Sequence, residues 1–345
     1  MKKIPAPILI VLSLICVGQF TCQAWDYEGH RLVNQLALTA LPTDFPAFVK
    51  TPEARERIAF LAGEPDRWRG VREATLDNAN APDHYIDLEQ LADYDLDEHS
   101  LTHFRNDFTA QLALARAAHP ERFKPIDPDQ NRDHTRQLVG FLPWAINENF
   151  FKLKEGFSYL KAFETGGGTQ AEIANARQDI IYIMGVMGHY VGDAAQPLHT
   201  TKHFSGWVGD NPQNYTREHI HSRVDSYFRH FDHASFEAVQ ARMHPARLPA
   251  DEESMKSGDT FDAVMAYILE QNKKVVPLYG LEKSGKLFGK GDAGEEGKVF
   301  LTQQLQTGGQ MLADLWFAAW QQAAPDSYLQ SQLAQRKLAE GGTKN

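Results

Sequence analysis

The sequence predicts an all-α protein, and three observations carry that reading. Apolar residues recur at helical spacing in successive windows from Tyr27 to Trp320. No segment of convincing length alternates with the two-residue period of a strand, and no internal repeat is present. Proline and glycine punctuate the chain where helices would stop or restart, at Gly63, Pro65, Pro125, Pro128, Pro143, Gly166-Gly167-Gly168 and Pro197. A chain of 345 residues has ample length for a buried core, as one large domain or two closely joined ones.

The chain opens with Lys2 and Lys3, an apolar run from Ile8 to Val17, and Ala24 before Trp25. That pattern reads as a secretory signal peptide over residues 1–24, too short for a membrane span, with cleavage after Ala24. A secreted or periplasmic location follows. Both cysteines, Cys16 and Cys22, lie in this leader, and the residues before them lack the small residue of a lipidation motif. The processed chain is then without cysteine, which excludes disulfides and thiolate metal sites and leaves nitrogen and oxygen as the available ligands. Losing two lysines moves the formal charge from -10 to about -12. Such a surface argues against broad electrostatic binding to nucleic acid or anionic membrane, while allowing a local positive site.

From Tyr27, the apolar positions Val33, Leu36, Ala37, Ala40 and Leu41 define a helix with His30 on its inward face. Residues 53–62 read as a short helix stopped by Gly63 and Pro65, with Asp66 and Arg69 in the loop that follows. A polar loop leads to His84-Tyr85-Ile86-Asp87. Residues 102–119 form an amphipathic helix. A second helical region runs from Thr135 to Phe163, broken or restarted at Pro143. The helix carrying Ile180, Ile183, Met184 and Met187 continues through His189 and Asp193 and ends near Gln196-Pro197. Helical spacing returns over 216–231, 258–276 and 297–323; residues 280–298 read as a mobile loop and 336–345 as a disordered tail.

The chemistry concentrates in His189-Tyr-Val-Gly-Asp-Ala-Ala-Gln-Pro-Leu-His199. His189 and Asp193, four residues apart, project from one helical face, and His199 follows just beyond the helix end. Taken singly, each histidine here is ordinarily a core or surface residue, and each aspartate a turn carboxylate. Together, His30, Asp66, His84, His189, Asp193, His199 and the pair His221 and Asp225, with the amino group and carbonyl of Trp25, exceed what one zinc needs. Imidazole and carboxylate without thiolate suit a hydrolytic zinc site. His99 and His103 lie in an acidic segment, His219 is off the face of Asp225, and His203, His230 and His233 take surface positions by default.

These residues resemble the zinc-dependent nucleases of the S1/P1 type, which share a superfamily with bacterial zinc phospholipases C. Trp25 and His30 match that family's first residue and the histidine five positions on. Residues 189–199 match its central motif at every ligand position, and His221 with Asp225 matches its final pair. Asp66 with Arg69, and His84-Tyr85-Ile86-Asp87, match its two loop motifs. The loop after His199 carries Gly209-Asp210-Asn211 where the family usually has Gly-Gly-Asn. The resemblance implies a single helical domain over 25–335 around three Zn²⁺ ions. Asp66, His84, His189 and Asp193 would hold the first ion, Trp25, His30 and a shared oxygen of Asp193 the second, and His199, His221 and Asp225 the third.

Three such ions against three aspartates leave about three positive charges, enough to attract a phosphodiester to an acidic protein. Two close metals lower the pKa of a bridging water to about 7, and a third stabilises the leaving oxygen. Arg69 would clamp the transition state. Tyr85 would stack a base and Asp87 would accept hydrogen bonds from its edge, which favours single-stranded DNA or RNA. The expected activity is endonucleolytic, leaving 5′-phosphates, with possible 3′-nucleotidase activity, by a monomer needing no obligate protein partner. A phospholipase C using the same cluster is the chief rival, and a zinc-scavenging protein without catalysis is a further one.

Overall fold

The computed structural model describes residues 25–248 and 260–342. The expected leader, its cleavage point and both cysteines fall outside these residues. Among the described residues the structure is all helical and has no strand, as the periodicity predicts, and no helix is long and apolar enough to cross a membrane.

The helices are α1 (Tyr27–Ala40), α2 (Pro52–Leu61), α3 (Glu64–Gly70), α4 (Ala74–Asn80), α5 (Arg105–Ala118), α6 (Leu142–Gly166) and α7 (Gln170–Ala195). Then come α8 (His221–Asp225), α9 (His233–Gln240), α10 (Phe261–Asn272), α11 (Val275–Lys283), α12 (Glu295–Gln322) and α13 (Ser327–Gly342). Single 3₁₀ turns fill several of the gaps.

Helix α7 is the axis, packed against α1, α2, α6, α10 and α12. It forms a long hairpin with α6. Gly167 supplies the left-handed turn at φ +87, and Thr169 and Glu172 close a reciprocal capping box at the start of α7. A glycine stripe along α7 lets its neighbours approach closely. A Cβ at Gly185 would lie 2.4 Å from Leu61 Cβ, and one at Gly188 1.6 Å from the Asn34 amide oxygen. Asn34 spans this contact, donating to the carbonyls of Ile58 and Gly185 at 2.8 and 3.0 Å. One turn further along the same stripe, Gly192 admits the ring of His30. The close packing of α1 on α7 thus sets the position of a candidate ligand.

Several boundaries differ from expectation. Pro65 starts α3 instead of ending α2, because proline is tolerated in a first helical turn, so Asp66 and Arg69 lie three apart on a helix and not in a loop. Pro143 likewise sits in the first turn of α6, and residues 131–141 before it are irregular. The 216–231 segment is helical only from His221, as one α turn followed by a 3₁₀ turn. The loop expected at 280–298 is shorter, since α11 runs to Lys283 and α12 begins at Glu295. The tail expected to be disordered from 336 is helical to Gly342, with residues 343–345 outside the described set. Leu333 is buried against Gly166, and Arg336 pairs with Glu172 at 2.8 Å.

Candidate metal centre

Helix α7 delivers His189 and Asp193 to the middle of the molecule, where both are fully buried. Their four-residue spacing places them on one face, and the ring of His189 is fixed by donation from Nδ1 to the Ala62 carbonyl at 2.6 Å. That bond leaves Nε2 as the bare nitrogen. It points at His84 Nδ1, 2.9 Å away, and lies 3.3 Å from Asp193 Oδ2 and 3.8 Å from Asp66 Oδ1. His84 Nδ1 lies 3.0 Å from Asp193 Oδ2 and 4.0 Å from Asp66 Oδ1.

Donor atoms of His84, on the 3₁₀ turn at Ala81–His84, and of His189 and Asp193, on α7, therefore converge on one point, and Asp66 of α3 flanks it, within 4.0 Å of both histidines. The turn carrying His84 is held from outside by Arg105, which pairs with Asp83 at 2.5 Å and Glu148 at 2.8 Å and lies over the Phe141 ring.

The other carboxylate oxygen of Asp193 faces His30 Nε2 at 3.4 Å, and the His30 ring stacks on His189 at 3.8 Å. Trp25 is fully buried beside them, its indole donating to the Gly192 carbonyl at 2.8 Å. A further group forms where the chain leaves α7. His199 Nδ1 donates to the His84 carbonyl at 2.6 Å, and the His199 carbonyl accepts from Ile86 N–H at 2.9 Å. The His199 ring is thus clamped with Nε2 turned inward, 2.9 Å from His221 Nε2. His221 Nε2 is 3.5 Å from Asp225 Oδ1, and that oxygen accepts from Gln196 Nε2 at 3.0 Å. Asp26 N–H reaches the Asp225 carbonyl at 3.1 Å, which ties the segment after Trp25 to this last group.

These atoms fit metal ions. Donors held about 2.0–2.2 Å from a tetrahedral ion lie roughly 3.3 Å from one another, and the spacings above run from 2.9 to 4.0 Å. Both ring nitrogens of His30, His84 Nε2, Asp193 Oδ1 and Asp225 Oδ2 are buried without a hydrogen bond. Orphaned polar atoms in such number are costly in a core unless something further satisfies them.

Protonation agrees. Burial lowers the pKa values of His30, His199 and His221, and of His84 to about 3, so these imidazoles are neutral donors at pH 7. Burial opposes ionisation of Asp66, but Arg69 and the histidines outweigh it and hold the carboxyl at about 2. Asp193 is likewise kept ionised against its burial by His189 and His199. Asp225 goes the other way, pushed well above its ordinary value by burial despite the bond from Gln196.

The buried triads of histidine and aspartate could therefore hold metal ions. Every ligand residue expected from the sequence lies in or beside this centre. Arg69 is there too, with Nε and Nη2 at 2.8 and 2.7 Å from Asp66 Oδ1.

The two expected base-binding residues are placed differently. Asp87 is buried and accepts from Gln90 Nε2 at 2.7 Å, and Tyr85 is half-buried with its ring against Gly140. His84 is no loop-surface histidine but fully buried. His203, expected at the surface, is buried and stacks on Trp207 at 4.0 Å. His103 pairs with Asp262 at 3.2 Å, away from His99. Sequence reasoning gave no role to Gln196, which orients Asp225, nor to the carbonyls of Ala62 and His84. Gln196 lies within the central motif, whereas a backbone carbonyl leaves no trace in sequence. No protein-family model matches this chain, and no curated protein matches it either.

Proposed function

We propose that this protein is a zinc-dependent phosphodiesterase that cleaves single-stranded nucleic acid, with three zinc ions held by the residues above. The observation that carries the reading is the shared position of Asp193. One of its oxygens faces His84 and His189 and the other faces His30, so a single buried carboxylate joins two adjacent donor sets. The third set, His199, His221 and Asp225, lies across the clamp formed by the His84 carbonyl.

Bound zinc would supply an ionised water and positive charge for the phosphoryl oxygens. The chain's own residues do the positioning. Ala62 and the 84–86 segment fix which nitrogen each of His189 and His199 presents. Arg69 keeps Asp66 ionised and sets a guanidinium fork, suited to phosphate oxygens, at the edge of the donors on a protein of formal charge -10. A phosphodiester finds its attraction there and not on the general surface.

The test is metal analysis combined with parallel assays on single-stranded DNA, RNA and phosphatidylcholine vesicles, before and after chelation. Zinc-dependent cleavage of nucleic acid is expected. Hydrolysis of the lipid without cleavage of nucleic acid would overturn the reading in favour of a phospholipase C.

Trp25 offers a second check. With its indole buried against Gly192 and Asp26 bonded to Asp225, a free amino group at Trp25 would add a donor beside His30 that a peptide amide cannot replace. Protein carrying residues fused ahead of Trp25 is expected to bind fewer zinc ions and lose activity, as measured by elemental analysis and turnover. Full zinc content and full turnover would refute this.

A further inference from the structure

None of the donors named above lies on α10, α11 or α12, yet side chains from this part of the chain hold both ends of one short turn. The turn runs from Ala195, the last residue of α7, to Thr200, and it carries Gln196 and His199. At its start, the Ala195 carbonyl accepts from Gln304 Nε2 on α12 at 2.9 Å. At its end, the Thr200 carbonyl and hydroxyl accept from Asn272 Nδ2 on α10 at 2.8 and 3.3 Å. In between, the Thr200 hydroxyl donates to the Pro197 carbonyl, and the Gln196 amide oxygen accepts from Leu198 N–H. That leaves Gln196 Nε2 for Asp225 and His199 Nε2 for His221.

Gln304 is buried, and a carboxamide can present either its nitrogen or its oxygen to a neighbour. Only the nitrogen can serve a carbonyl. Lys274, between α10 and α11, settles the orientation, because its amine donates to the Gln304 and Gln271 amide oxygens at 3.2 and 3.1 Å. With its oxygen held, Gln304 turns its N–H bonds to Ala195 and to Gln271 Oε1, the latter at 2.7 Å. A buried polar network satisfied in this way makes the segment it touches rigid. Packing alone needs no such network: Gly308, one turn along α12, already lies so close that a Cβ there would meet Ala195 Cβ at 2.9 Å.

Resting on the zinc-centre reading above, we propose that Gln304 and Asn272 are positioning residues for the cluster of His199, His221 and Asp225. They act through the turn and touch no donor themselves. Holding the Ala195 and Thr200 carbonyls fixes where Gln196 meets Asp225 and where His199 meets His221. The cluster of His84 and His189 is held from elsewhere, by the Ala62 carbonyl and by Arg105 on Asp83. The C-terminal helices thereby tune one position of the centre and leave the others alone.

The test compares Gln304→Glu and Asn272→Asp, which keep the size of the side chain and remove the donated hydrogen bond. The first still accepts from Lys274, so its loss is confined to the bonds to Ala195 and Gln271. Zinc is withdrawn stepwise from the full protein with a competing chelator, the zinc-free protein is unfolded in urea, and hydrolysis of single-stranded DNA is followed in parallel. Each variant is expected to weaken one zinc position by about 10-fold, the lower end for a partner outside the ligand shell, with the other positions and the urea midpoint unchanged. At limiting zinc kcat falls accordingly, and excess zinc restores it. Combined with His221→Ala, which already removes that position, neither variant should weaken the remaining zinc further.

Weakening of all zinc positions together with a lowered urea midpoint would reduce both residues to scaffold and overturn the inference, as would unshifted zinc in both variants. Should Gln304→Glu not fold, Asn272→Asp decides from the other end of the turn. An unchanged protein that binds no zinc and cleaves no single-stranded DNA defeats the underlying reading instead, and this inference with it.

Discussion

The cluster around His84 and the cluster around His221 use the same donor types yet hold their charge differently. Around His84, two carboxylates face two imidazoles with Arg69 alongside, and Asp66 stays ionised at about 2 despite its burial. Around His221 there is one carboxylate, Asp225. Its sole hydrogen bond among the described residues comes from Gln196, and burial pushes it well above its ordinary value. The first cluster carries its own counter-charge, whereas in the second burial disfavours the ionised carboxylate, which a bound cation would favour. One centre can thus combine a position organised in advance with a position completed by binding.

The largest effect expected is from Asp193→Ala, because that carboxylate serves both sides of the first cluster. Zinc content should fall by more than one ion, and phosphodiester hydrolysis by at least about 100-fold, exceeding the usual loss from an outer-shell change. Retention of all zinc would break the assignment of Asp193 as the shared ligand. Gln196→Ala and Arg69→Ala then separate the clusters. Gln196→Ala should weaken one zinc position by about 10- to 100-fold and leave the others intact. Arg69→Ala should keep the zinc position at His221, weaken the one beside Asp66 and lose turnover, since its guanidinium pairs with the Asp66 carboxylate. Identical metal profiles for the two variants would erase the distinction.

The sequence shows this contrast only in part. His189 with Asp193 and His221 with Asp225 were legible because a four-residue step fixes a shared helical face whatever surrounds it. The orienting partners were not, since His189 bonds a carbonyl 127 residues away and His199 one 115 residues away. No side-chain pattern records such contacts. Asp66 was misplaced in a loop because Pro65 reads equally as a stop or a start. His203 was misjudged because its stacking partner Trp207 is a tertiary contact with no helical register to announce it. The C-terminal helix past residue 335 was missed for a similar reason, since what orders it is the pairing of Arg336 with Glu172 and the burial of Leu333 on Gly166.

The packing beneath both clusters can be broken without touching a donor. In Gly188→Ala the new methyl meets the amide oxygen of Asn34, the side chain whose amide nitrogen ties α1 to α2 and α7. Metal-free protein should lose about 3 kcal/mol in urea unfolding, the upper part of the usual overpacking range. His30 shares the interface of α1 with α7, so the zinc position beside His30 should weaken before the one at His221. Equal weakening of both would mean that the clusters stand or fall together.

Asp87 gives the smallest and most local test. It follows directly on the segment whose His84 and Ile86 clamp His199, and its own partners, Gln90 and the Val139 carbonyl, belong to neither cluster. Burial, reinforced by Glu89, pushes its carboxyl up to about 7. A carboxyl whose pKa rises on folding adds stability below its unfolded value, and that contribution is lost as pH climbs through the folded one. The loss therefore falls between about pH 4 and pH 7, where each pH unit is worth about 1.4 kcal/mol at most. Asp87→Asn keeps an acceptor for Gln90 and removes the charge. In metal-free protein it should match the unchanged chain near pH 4 and exceed it by about 2 kcal/mol at pH 8. A difference that does not grow with pH would show that the carboxylate is accommodated as it stands, and that the segment joining the clusters carries no stored electrostatic cost.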